Sequence, residues 1–131
     1  MKKRRKKAVK KHYHKGNRLL SAFSFSRAGV KAAWKEELAF RQVIFLGIIG
    51  VIALFFLPLT MVERILWVLP IGISWITELL NSAIENVVDR CSPDIHPLAK
   101  KAKDMGSAAQ LMAILLLFGI WGMILWGLYM K

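Results

Sequence analysis

The sequence predicts an all-α membrane protein: three transmembrane helices preceded by an amphipathic helix on the membrane surface. Three observations predict it. Apolar residues make up 56% of the 131-residue chain, yet its formal net charge is +12. Charge and apolar residues are segregated: nine of the twenty Lys and Arg fall within residues 1–15, and the apolar residues cluster from Val43 onward. Residues 43–62, VIFLGIIGVIALFFLPLTMV, form an uncharged run of twenty, and about 20 apolar residues cross a bilayer. A chain of this length makes one domain.

The elements follow in order. Residues 1–17 form a basic arm that opens MKKRRKKAVKKHYHKG. No apolar segment follows closely enough to make it a signal peptide. Nucleic acid would suit such a run, but in so hydrophobic a chain the expected partner is an anionic lipid surface. Each Lys or Arg held there contributes about 1 kcal/mol; no nucleic-acid partner is expected. Residues 18–35, RLLSAFSFSRAGVKAAWK, have helical spacing, with Leu19, Phe23, Val30 and Trp34 on one face and Arg27, Lys31 and Lys35 elsewhere. That pattern suits a helix lying in the membrane interface.

The three spans are expected at about 36–58, 63–90 and 104–129. Pro58 ends or kinks the first. CSPDIHPLAKKAKD, residues 91–104 with two prolines, reads as a loop before the third. Trp121, Trp126 and Tyr129 are assigned to an interfacial aromatic belt. The arm and the 90–103 loop hold thirteen of the twenty Lys and Arg, whereas the 58–64 turn holds only Arg64 and the C-terminus only Lys131, so the arm and the loop are expected in the cytoplasm, with the C-terminus outside. Cys91, the single cysteine, excludes an internal disulfide and reads as a free thiol.

The second span poses the functional question. Its first half, ILWVLPIGISWI at 65–76, is uncharged, and its second half carries Glu78, Asn81, Glu85 and Asp89. At about 100° per residue, Asn81 lies at about 300° from Glu78, Glu85 at about 340° and Asp89 at about 20°. The four share one narrow sector. A carboxylate facing hydrocarbon costs several kcal/mol unless paired, protonated or wetted. The stripe is therefore expected to face a polar cleft on the cytoplasmic side. Three chemistries want carboxylates there: magnesium bridging nucleotide phosphates, a general base, or a proton or cation path. The competing structural reading is salt bridging to Arg41 or Lys103.

Other charges converge on the same end. Glu37 and Arg41 are four apart at the start of the first span, a spacing that shares a helix face. Lys100, Lys103 and Asp104 precede the third span and suit an anionic ligand, with Gly106 admitting a close backbone approach. No Walker or kinase glycine-rich loop is present. The residues support a phosphate site at a membrane surface and leave the reaction open.

The segments AAWKEELAFRQ (32–42), ELLNSAIENVVDR (78–90) and KDMGSAA (103–109) resemble the bacterial integral-membrane diacylglycerol kinases, with that family's spacing, over roughly Arg18 to Tyr129. The resemblance implies a membrane domain at 18–131 that forms a homotrimer with active sites shared between subunits. It implies transfer of the γ-phosphate of MgATP to diacylglycerol, giving phosphatidic acid, in the bacterial inner membrane with the N-terminus cytoplasmic.

The resemblance also implies roles for single residues. Glu78 matches the catalytic base, supported by Asn81, and Glu37 and Glu85 match the magnesium carboxylates. ATP contacts fall on Arg18, Phe25, Glu37, Glu85, Lys103 and Asp104 and on the loop Asp94, Ile95 and His96. Lipid contacts fall on Arg18, Ala22, Phe23, Ser26, Arg27, Lys31, Trp34, Arg41, Glu78 and Ser107. Three positions depart from the family pattern: Phe25 where Tyr is frequent, Arg27 where Trp is common, and Val43 where FRQE is frequent.

The nearest alternative is an undecaprenol kinase of the same fold, whose family reads INTAIE where this chain has LNSAIE. The alternative from another class is a small proton- or cation-coupled transporter built on Glu78, which leaves Glu37 and the Lys103–Asp104 pair without a role.

Overall fold

The computed structural model describes residues 18–91 and 96–130; the basic arm, Asp94 and Ile95 lie outside the described residues. Four helices make up the described chain: α1 (Arg18–Glu36), α2 (Leu38–Ala53), α3 (Met61–Cys91) and α4 (Pro97–Tyr129). No strand occurs among the described residues. The all-helical class and the helix at 18–36 agree with the sequence reading. By length and composition, α3 and α4 are long and apolar enough to cross a membrane, and α2 is a shorter apolar helix.

Helix α2 has 16 residues where the sequence suggests a span of 36–58. Its path continues in a tighter form. The backbone N–H groups of Leu54, Phe55 and Phe56 donate to the carbonyls three residues back, at 3.0–3.2 Å. Such turns rise about 2 Å per residue. Pro58 then blocks further helix, because its ring disfavours the helical conformation at Leu57. The next helix opens with a reciprocal cap: Thr60 N donates to Glu63 Oε2 at 2.7 Å, and Glu63 N donates to Thr60 Oγ1 at 3.3 Å. This satisfies N–H groups that a helix start leaves open.

A single residue separates α1 from α2. Glu37 is extended, at φ −108° and ψ 111°. Arg41 closes the break by donating from one guanidinium nitrogen to the carbonyls of Trp34, at 2.9 Å, and Lys35, at 3.3 Å. A cation there satisfies the last carbonyls of α1. Arg41 thus turns to the backbone of α1.

Helix α4 starts earlier than the sequence reading placed it. Residues 97–104 are helical, not loop. His96 caps the helix, its Nδ1 accepting from Leu98 N at 3.2 Å. Pro97 occupies the first turn, where its missing N–H costs nothing. The proline taken as a loop marker is a helix starter.

The helices are held by tryptophans and glycines. Trp67 Nε1 donates to Gly50 O at 2.8 Å and Trp75 Nε1 to Val43 O at 2.9 Å, so α2 and α3 run antiparallel. Trp121 Nε1 donates to Trp67 O at 2.9 Å, tying α4 to α3. The rings of Trp67 and Trp121 stack at 4.6 Å with planes 10° apart. Each indole buries its apolar body and still finds an acceptor for its N–H. Glycines on α2 make room. A side chain at Gly47 would lie 2.5 Å from Ile71 Cγ2 and 2.6 Å from Trp75 Cζ2, and one at Gly50 would strike the Trp121 ring. Trp121 therefore belongs to the core with Ile71 and Leu117 rather than to an interfacial belt. Trp126 and Tyr129 are exposed at the end of α4.

Candidate active site

Helix α3 has 31 residues, about 46 Å at 1.5 Å each. A hydrocarbon layer of about 30 Å is shorter than that. Glu85 and Asp89 fall in the excess, and Glu78 lies just inside the layer's edge. Counted from Met61, Glu78 lies about 26 Å along the helix and Glu85 about 36 Å.

The stripe is longer than the four residues read from sequence. Ser74 and Ser82 lie one turn to either side of Glu78, and the same 100° spacing puts them at about 320° and 40°. Ser74, Glu78 and Ser82 are all buried, Glu78 at 4% exposure. Asn81 and Glu85 are half-buried, and Asn81 Nδ2 donates to Glu85 Oε1 at 3.3 Å.

The kink residue Glu37 reaches the same region. Asn86 Nδ2 donates to Glu37 Oε1 at 3.4 Å and to Ser82 O at 2.8 Å. The negative charges of Glu85 and Glu37 both bear on Glu78. The three carboxylates therefore occupy one neighbourhood, although they come from two elements. Beside them runs a groove of about 170 Å³, walled by Gly29, Ala33 and Glu37 on one side and Leu79, Ser82 and Asn86 on the other.

The far end of the stripe behaves differently. Asp89 Oδ1 receives Lys103 Nζ at 3.0 Å, and Asp104 Oδ2 receives Lys100 Nζ at 2.6 Å. The salt-bridge reading thus holds for Asp89, while Glu78 and Glu85 have no ion pair among the described residues. Both pairs are largely exposed, and exposed pairs contribute about 0–1 kcal/mol. Lys103 can leave Asp89 at little cost when a stronger anion arrives.

The remaining expected contacts are spread out. Arg18, Ala22, Phe23, Phe25, Ser26, Arg27, Lys31 and Trp34 stand exposed along α1, and Ser107 is exposed on α4. Trp34 packs its ring on Phe45 of α2 at 5.8 Å. Gly106 is buried, and the group crowding it is the Asn81 side chain. His96 spends its Nδ1 on the helix cap.

One cluster escaped the sequence reading. Gln110 of α4 donates from Nε2 to Ser74 Oγ at 3.2 Å and accepts from Thr77 Oγ1. It reaches Ser74, one turn deeper than Glu78, and Thr77, the residue before Glu78. Ser74 and Ser82 were discoverable by extending the helical count in both directions. Gln110 was not, because its partners lie on another helix.

A family profile for prokaryotic diacylglycerol kinase matches residues 24–125. The chain belongs to that family. Proteins called diacylglycerol kinase show the same relationship over most of their length. The one from Helicobacter pylori 26695 is 45% identical over 114 residues, covering 87% of this chain and 89% of its own. That of Pseudomonas aeruginosa PAO1 is 46% identical over 110 residues, covering 84% and 89%. That of Escherichia coli K12 is 40% identical over 109 residues, covering 83% and 89%. The matched region contains Glu37, Glu78, Glu85 and Asp89, all of α2 and α3, and most of α1 and α4. It leaves out the basic arm.

Proposed function

We propose that the chain is a lipid kinase that moves the γ-phosphate of MgATP to the free hydroxyl of diacylglycerol, giving phosphatidic acid and ADP. The observation that carries this reading is the gathering of Glu78, Glu85 and Glu37, with Glu78 buried and Glu85 farther along α3. The relatives' shared name supplies the substrate.

Magnesium fits the groups present. The available donors are the carboxylate oxygens of Glu85 and Glu37, and an amide nitrogen borders each of them, from Asn81 and Asn86. Magnesium prefers oxygen, and with nucleotides it is held by one or two carboxylates plus phosphates and water. Among the described residues no group of three or more acidic, His or Cys side chains is arranged to hold a metal by itself. Glu85 and Glu37 are the residues to hold it. Bound there, it would offset negative charge on the phosphate oxygens.

The chain's own residues do the rest. Glu78 accepts the proton from the lipid hydroxyl. That oxygen attacks the γ-phosphorus while the bond to the β–γ bridging oxygen breaks and ADP leaves. Phosphoryl transfer needs mainly positioning and charge stabilisation. Lys103, released from Asp89, supplies positive charge beside the phosphates. The two distances along α3 give the substrates separate approaches: lipid to the deeper Glu78, nucleotide to Glu85.

The reading includes three membrane spans, with α2 completed by its tighter turns, and a bacterial inner membrane with the basic arm on the cytoplasmic side. It also includes a homotrimer with shared sites. On α1, Leu19, Leu20 and Phe23 are each more than two-thirds exposed on one side of the helix, a face that suits the membrane interface.

The experiment offers purified protein in mixed micelles γ-labelled MgATP with either diacylglycerol or undecaprenol. Label is expected in phosphatidic acid, faster than in undecaprenyl phosphate. Faster labelling of undecaprenol would reverse the substrate assignment, and label in neither lipid would end the kinase reading.

A further inference from the structure

We propose that Gly106 is a positioning residue: its missing side chain leaves the space that holds Asn81 against Glu85. The inference rests on the lipid-kinase reading of the carboxylate site and extends it to α4.

A Cβ on Gly106 would collide with Asn81 Oδ1. The next atoms it would meet are Asn81 Cγ at 3.4 Å and Ile84 Cδ1 at 3.7 Å. The space beside Gly106 is therefore filled by one side chain. That side chain has a fixed orientation. Its Nδ2 donates to Glu85 Oε1, so its oxygen must point the other way, toward Gly106. Turning the amide over would set its oxygen against a carboxylate. Asn81 Oδ1 is buried and has no hydrogen-bond partner in this position. A buried acceptor left without a donor is costly. The arrangement persists because the amide satisfies Glu85 and the glycine gives it room.

Gly106 differs from the two glycines of α2. At Gly47 and Gly50 the obstacle is an indole ring locked in the core. At Gly106 it is the tip of a short side chain, which can rotate away without moving either helix. Alanine is also the better helix former. Gly106→Ala should therefore fold normally while expelling Asn81 from its place, which leaves Glu85 without its amide donor. Partners that orient a metal-binding carboxylate typically change metal affinity about 10–100-fold when lost.

The test uses the full chain in lipid–detergent micelles, with Mn²⁺ as the probe for the magnesium site. Mn²⁺ affinity is read by electron paramagnetic resonance in the presence of a non-hydrolysable ATP analogue. The KM for diacylglycerol and the unfolding midpoint are read alongside. Wild type, Gly106→Ala, Asn81→Ala and the double variant are compared.

For Gly106→Ala the expected result is a Mn²⁺ affinity about tenfold weaker, with an unchanged lipid KM and an unfolding midpoint at or above wild type. The double variant should bind Mn²⁺ no more weakly than Asn81→Ala alone, because both changes act through one side chain. Wild-type affinity in Gly106→Ala, a lowered midpoint, or losses that multiply in the double variant would each overturn the role of Gly106. A wild-type protein that neither binds Mn²⁺ nor phosphorylates lipid would overturn the kinase reading and this inference with it. An active wild type with an unaffected Gly106→Ala would overturn this inference alone.

Discussion

Glu78→Gln is expected to lower kcat by about 10²–10⁴-fold, the usual worth of a positioned general base. The protein should unfold at the same denaturant concentration as wild type, or higher. Both halves follow from the surroundings of Glu78. The side chain is buried at 4% exposure, and glutamine keeps its shape. The charges of Glu85 and Glu37 bear on it, so removing its charge relieves repulsion between like groups. What glutamine cannot do is take a proton from an alcohol. The check is steady-state lipid phosphorylation beside an unfolding curve. Near-wild-type turnover would exclude Glu78 as the base. Lost activity together with lost structure would show a packing role instead.

Gly50→Val carries the largest expected effect on stability, on the order of 3 kcal/mol, combining overpacking with a disturbed indole hydrogen bond. Its side chain would meet the Trp121 ring, with Cη2 only 2.5 Å from the position of a Cβ. Trp121 cannot turn aside. It stacks on Trp67 and donates to Trp67 O, while Trp67 donates in turn to Gly50 O. A single added group therefore pushes α2 away from both α3 and α4. The matched control is Gly127→Val, where a Cβ would meet no heavy atom within 4 Å. It should stay within about 0.5 kcal/mol of wild type, as surface changes usually do. Denaturation midpoints in mixed micelles compare the two.

Glu78, Asn81 and Glu85 were legible as one stripe because helical spacing is a local property. Seven residues return a helix almost to the same bearing, and no knowledge of neighbours is needed. Helix α1 was legible for the same reason. Features that depend on contact between helices were not. The sequence offered Lys103 as a salt-bridge partner for the stripe but not which acid it would reach, and nothing in it says that Gln110 will bridge Ser74 and Thr77. Trp121 looked like a belt residue because tryptophan is common at interfaces; only the glycines of α2 explain its burial. Pro97 was ambiguous by chemistry, since proline both ends helices and starts them. The cap from His96 decides for the start. Gly106 was noticed as a place for close approach, but the group that approaches lies on another helix.

Whether the buried and the half-exposed glutamate of α3 work as one catalytic unit is tested most directly by a double-mutant cycle on Glu78 and Glu85. Lipid phosphorylation is measured for Glu78→Gln, Glu85→Gln and the pair. Residues that act together in one reaction show grossly non-additive losses. The account predicts that the double variant is about as slow as the worse single variant. Losses that multiply would mean that the two glutamates serve separate places, and the shared phosphate site would be contradicted.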